Sequence, residues 1–96
     1  MRIVGRNKLH EFSSAHADVR GWIENWVADV EASTWKTTQD IKTRYASASF
    51  LKPTRLIFNV KGNSYRLQVT VAYKTTTVFV VWLGTHAEYD QRNKKR

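Results

Sequence analysis

Arg66, Lys61, His86 and Tyr89 are the side chains of this sequence whose types, taken together, could cleave a phosphodiester bond. In RNA the 2′-hydroxyl attacks the adjacent phosphate once a base removes its proton. Positive groups must hold the charge that builds on phosphorus, and an acid must protonate the departing 5′-oxygen. Arginine and lysine supply that electrostatic clamp. Histidine titrates near neutral pH and is the usual proton carrier. A tyrosine can stack on a base or donate its hydroxyl proton. This route needs no metal, and no cofactor is expected. The sequence has no cysteine, no metal-ligand spacing, no glycine-rich phosphate loop and no serine nucleophile constellation.

Each of these residues also has a plainer reading. Arg66 and Lys61 can be solvent-facing strand residues, His86 can pair with Glu88 or Asp90, and Tyr89 can be a core or hinge aromatic. His10 and His16, on or near a first helix, read as structural. Trp22, Trp26, Trp35 and Trp82 read as packing, because the first two fall on an apolar helical stripe.

The elements that must position these groups are visible in the apolar spacing. Residues 55–61 alternate, with Leu56, Phe58 and Val60 on one face and Arg55, Ile57, Asn59 and Lys61 on the other. Gly62-Asn63 predicts a two-residue hairpin turn. Residues 64–73 alternate again, Tyr65, Leu67, Val69 and Val71 against Arg66, Gln68, Thr70 and Ala72. Such a turn pairs Lys61 with Ser64, Asn59 with Arg66, Ile57 with Gln68 and Arg55 with Thr70. One hairpin face is then apolar, and the other carries Arg55, Asn59, Lys61, Arg66 and Gln68. Residues 74–77, with Lys74, turn the chain into a continuously apolar run over 78–83 that predicts a central strand. Thr85 is placed to cap a last short helix over 86–90, before a basic tail over 91–96.

Upstream, residues 2–6 predict a short edge strand, and Asn7 a cap for a helix to about Ala17 with Leu9, Phe12 and His16 inward. Asp18 is placed to cap a second helix whose stripe is Val19, Trp22, Ile23, Trp26, Val27 and Val30. Thr37 and Asp40 form an acidic variant of the capping box, opening a short basic helix over 38–46 with Lys42 and Arg44. Residues 47–53 read as a connector ending at Pro53. The layout is one α+β domain over 1–96: helices on one face of a small antiparallel twisted sheet, the other face open and cationic.

Charge supports that polarity. The chain has 96 residues and a formal net charge of +8. Its five acids between Glu11 and Glu31 are set against one base, Arg20, whereas residues 41–87 hold seven bases and no acid. Solubilising surfaces intersperse both signs; an acid-free cationic stretch favours a polyanion. Lys42, Arg44, Arg55, Asn59, Asn63, Gln68 and Lys74 are accordingly the candidate RNA-binding residues beside the four catalytic candidates. No secretory signal or membrane-length apolar run is present, so a soluble protein of a reducing cytoplasm is expected, with no membrane partner.

Residues 58–67 (FNVKGNSYRL) and 84–90 (GTHAEYD) resemble the two signature stretches of HigB-type toxins of the RelE-like superfamily. Trp35-Lys36, Asp40-Ile41-Lys42, Arg44-Tyr45 and Ser47-Ala48-Ser49 are similar to that family's middle, and the resemblance runs from Met1 to about Gln91. It implies a RelE-like α+β fold and a bacterial endoribonuclease (an mRNA interferase) that cuts mRNA, commonly on the translating ribosome. It also implies neutralisation by a helix-turn-helix antitoxin. By position it assigns Asn63 and Arg66 from the hairpin motif, and His86 and Tyr89 from the C-terminal one. The chain departs from the pattern twice. Val81 stands where many relatives carry Arg or Lys, a role that Arg55, Lys61 or Arg66 would have to fill. After Asp90, where relatives continue with apolar residues, it runs Gln91-Arg92-Asn93 and ends basic. A non-catalytic module docking on RNA or the ribosome, and a gyrase-directed toxin, are the alternatives.

Overall fold

A computed structural model describes residues 1–94. Its elements are β1 (Arg2–Val4), α1 (Arg6–Ala15), a 3-10 turn (Ala17–Val19), α2 (Arg20–Ala32), α3 (Thr38–Arg44), β2 (Ser49–Lys52), β3 (Arg55–Val60), β4 (Tyr65–Ala72), β5 (Thr77–Thr85) and α4 (His86–Lys94). The five strands form one sheet in the order β1-β5-β4-β3-β2. β3, β4 and β5 make the expected antiparallel meander, β2 adds an antiparallel edge strand to β3, and β1 lies parallel to β5 and makes the sheet mixed.

The core forms where the helical stripe meets alternate strand residues. Val19, Ile23, Trp26 and Val30 pack against Leu56, Phe58 and Val60 of β3, Leu67, Val69 and Val71 of β4, and Val78 and Val80 of β5. Trp26 meets Phe58 edge-on at 5.6 Å between ring centroids. Each such large side chain contributes about 1.5–3 kcal/mol by leaving water, which is why α2 forms despite Gly21 in its first turn. The hairpin register is the predicted one: Asn59 faces Arg66, Ile57 faces Gln68 and Arg55 faces Thr70.

Several local expectations are corrected. Gly5, not Asn7, is the residue before α1; it has φ +95, and a Cβ there would lie 2.9 Å from the Val80 carbonyl oxygen. Only glycine takes that backbone and that close approach. Asp18 sits inside the 3-10 turn and caps nothing; its carboxylate accepts the Tyr65 hydroxyl at 2.9 Å. The connector over 47–53 contains β2, a four-residue edge strand with a bulge. It is too short to show alternation, and its ordering comes from pairing with β3. The final helix runs to Lys94, so only Lys95 and Arg96 of the expected tail lie outside the described residues. It also crosses to the sheet face opposite α1 and α2, where Tyr89 and Arg92 meet Trp82 and Gln68. That outer face is therefore partly roofed rather than open.

A candidate RNA-cleaving site at the hairpin tip

The Ser64 carbonyl accepts the His86 backbone N–H at 3.1 Å, which ties the hairpin turn to the start of α4. Directly behind this link, Arg66 faces Gly84 on one side and Asn59 on the other. Its guanidinium donates to the Asn63 side-chain oxygen at 3.3 Å, and the rest of its donors stay available at the surface. Asn63 is thus a positioning partner for Arg66, and Asn59 donates to the Ser47 carbonyl at 3.3 Å. Lys61 lies in the turn with φ +50 and not on β3. The left-handed backbone, which favours glycine over lysine, takes it out of the strand alternation that would have set it beside Arg66.

His86 opens α4. Thr85 and Glu88 form a reciprocal cap: the Glu88 carboxylate accepts the Thr85 N–H at 2.8 Å, and the Thr85 hydroxyl accepts the Glu88 N–H at 3.1 Å. The Thr85 backbone N–H, then its side chain, hold the Glu88 carboxyl below the usual carboxylate range. With the first turn fixed, His86 Nδ1 lies 3.1 Å from the Asp90 carboxylate one turn on. An Nδ1–H donated to Asp90 leaves Nε2 as the proton acceptor. The plainer pairing and a proton-carrying role therefore use the same geometry. Among the described residues no group of three or more His, Asp or Glu is placed to hold a metal ion.

Around this pair stands a cluster not foreseen from sequence. Gln68 faces Trp82 and Val69 faces Val80, so Val81 is an extra residue, a β-bulge. Strict alternation from Val78 and Val80 would turn Trp82 inward; the bulge turns it outward. Its indole lies across Gly84, where a Cβ would fall 2.4 Å from the ring. Tyr89 packs against the indole at 6.1 Å, and the Arg92 guanidinium lies 4.6 Å from its centroid. Arg92 also donates to the Gln68 side-chain oxygen at 3.3 Å. Gln68, only 8% exposed, thereby holds Arg92 instead of facing solvent.

The remaining predicted RNA-binding residues are elsewhere. Arg55 faces Thr70, four residues and roughly 13 Å along the strand from Arg66. Lys74 is in the turn at that same far end. On α3 the Lys42 ammonium donates to the Ala46 and Ala48 carbonyls at 3.0 and 2.7 Å. The Arg44 guanidinium pairs with Asp29 at 2.6 Å and lies over the Tyr45 ring.

A sequence model of HigB toxins, described as the RelE-like toxic component of a toxin–antitoxin system, matches residues 20–92. The chain belongs to the HigB toxin family. The match takes in every residue of the hairpin-tip cluster and runs from the start of α2. Among curated proteins none matches. As the toxic component of a two-protein system, this HigB-family chain has a cognate antitoxin. The fold agrees with the RelE-like expectation, and no helix among the described residues is long and apolar enough to cross a membrane.

Proposed function

We propose that this HigB-family toxin is an endoribonuclease that cuts mRNA on the translating ribosome and thereby stops growth. The observation that carries this reading is the His86 N–H to Ser64 carbonyl link. It brings His86, paired with Asp90, to the end of the cationic face that carries Arg66. That supports reading them as base, orienting carboxylate and electrostatic clamp, with Trp82 and Tyr89 as an aromatic pair beside them. His86 Nε2 takes the 2′-hydroxyl proton, that oxygen attacks phosphorus, and the bond to the 5′-oxygen breaks to leave a 2′,3′-cyclic phosphate. Arg66 offsets the charge on the phosphoryl oxygens, and the His86 imidazolium or the Tyr89 hydroxyl returns a proton to the leaving oxygen. Lys61, exposed in the turn, adds positive potential.

The test is to incubate the purified protein with programmed ribosomes and map mRNA 5′ ends. New ends that vanish with Arg66→Ala and His86→Ala are expected. Ribosome binding with no new ends would replace this reading by the non-catalytic docking module. For the antitoxin, a helix-turn-helix protein with an acidic surface fits the cationic face, and its complex should loosen as salt rises.

A further inference from the structure

Arg66 and Gln68 are two residues apart on β4 and point to the same face, a spacing of roughly 6.6 Å. The Gln68 oxygen accepts from Arg92, and the Arg66 guanidinium donates to Asn63, so both arginines are held by neutral amides on the outer face. No carboxylate is paired with either of them among the described residues. The molecule nevertheless fixes Arg92 from two directions, with the indole of Trp82 beneath it and the carboxamide of a buried Gln68 at its edge. A guanidinium held flat on an aromatic ring keeps its in-plane donors for an anion and loses little entropy on meeting one. The bulge at Val81 and the bare Cα of Gly84 both serve to lay that indole in place.

We propose that Arg92, seated on Trp82 and Gln68, is a second phosphate clamp. The site would then grip two phosphates of one RNA strand, Arg66 on the scissile one and Arg92 on a second. Arg66 and Gln68, which anchors Arg92, are one strand repeat apart on the same face, so an RNA strand running along β4 would meet both arginines. Arg92 is a binding residue in this scheme, and Gln68 and Trp82 are positioning residues. The inference rests on the ribonuclease reading above.

The experiment uses the full chain and an oligoribonucleotide made uncleavable by 2′-O-methylation. Binding is followed by fluorescence anisotropy across a series of salt concentrations. Each phosphate contact in a single strand adds about 0.7 to the slope of log affinity against log salt. Arg92→Gln keeps a planar amide over Trp82 and a donor for Gln68 but removes the charge, so it should lower the slope by about 0.7. Arg92→Lys keeps the charge and should restore the slope, although it cannot stack in the same way. Were Arg92 only a structural pin, the order would reverse: Gln would behave as the parent and Lys would not. An Arg92→Gln slope equal to the parent's, with Arg66→Ala still lowering it, would overturn the second clamp and leave the ribonuclease reading standing. A parent chain that neither binds the oligonucleotide nor cuts RNA would overturn both.

Discussion

On α3 the Lys42 ammonium is spent on two carbonyls of the following loop, and Arg44 is neutralised by Asp29. On the outer sheet face, the partners of Arg66 and Arg92 among the described residues are neutral amides and an indole. Both pairs contribute equally to a net charge of +8. A cation whose partner is a carboxylate projects little potential, and an ammonium with two of its three N–H groups on carbonyls has one donor left. A guanidinium held by one neutral acceptor instead keeps its charge and most of its five donors. Charge density along the chain therefore marks the protein as a polyanion binder, but partner chemistry decides which bases do the binding.

The strongest way to break this contrast is to swap the loss between regions. Arg66→Ala and His86→Ala should each slow mRNA cleavage by about 10²- to 10³-fold in single-turnover assays. Lys42→Ala should leave the cleavage rate unchanged. A Lys42→Ala defect as deep as that of Arg66→Ala would show that α3 also reaches the RNA.

Gly84→Ala probes the outer cluster through packing. The new Cβ would lie 2.4 Å from the Trp82 ring, so the indole must swing away. Overpacking of this kind costs about 1–3 kcal/mol, read as a lower urea midpoint with unchanged slope. Because Arg92 rests on that indole, the same variant should weaken RNA binding. Gly21→Ala, with open space around its Cβ position, is the control and should stabilise α2 by about 1 kcal/mol.

How far the sequence revealed this arrangement depends on whether the period was regular. The hairpin kept a period of two on both strands, so its register and the shared face of Asn59, Arg66 and Gln68 were legible. The α2 stripe, the Thr37 capping box and the Thr85 cap were legible for the same reason: short-range chemistry at fixed spacing. Trp82 was not, because one bulged residue reverses the face of everything after it and leaves no compositional mark. Gly84 was the available signal, since a glycine inside a strand often marks a close approach. Arg92 was obscured because nothing local in a basic tail indicates that it folds back on a sheet. Lys61 was misplaced by one turn position: the positive φ values fall on Lys61 and Gly62, not on Gly62 and Asn63.

Thr85→Ala removes half of the cap that aims His86 and should cost about 1 kcal/mol. The Glu88 half is pH-dependent. Its folded carboxyl titrates below the ordinary value of 4.5, so its contribution is complete above that value and is lost as pH falls through the lower folded one. Glu88→Gln should flatten stability over that acid range while retaining the cap at neutral pH. An unchanged acid limb of the stability curve would mean that other carboxylates govern it.

The smallest expected effect is that of Arg44→Ala, which sharpens the contrast from the other side. The Arg44–Asp29 pair is largely exposed, so its loss should cost less than about 1 kcal/mol, and less still at high salt. Asp29 would not be stranded, because it also accepts the Tyr45 hydroxyl at 2.8 Å. Burial first, and then Asp29, push the Tyr45 pKa well above its ordinary value of 10.0, and the Arg44 charge opposes that shift. Stability drawn from the neutral tyrosine is complete below its unfolded value and declines as pH rises beyond it. Removing Arg44 should therefore steepen the alkaline decline in thermal melts while leaving the salt slope of RNA binding untouched. Arg66→Ala should do the opposite, lowering the salt slope and leaving the alkaline decline as it was. A cation that holds the fold and a cation that holds the ligand are separated by that pair of measurements, though the sequence writes both as arginine.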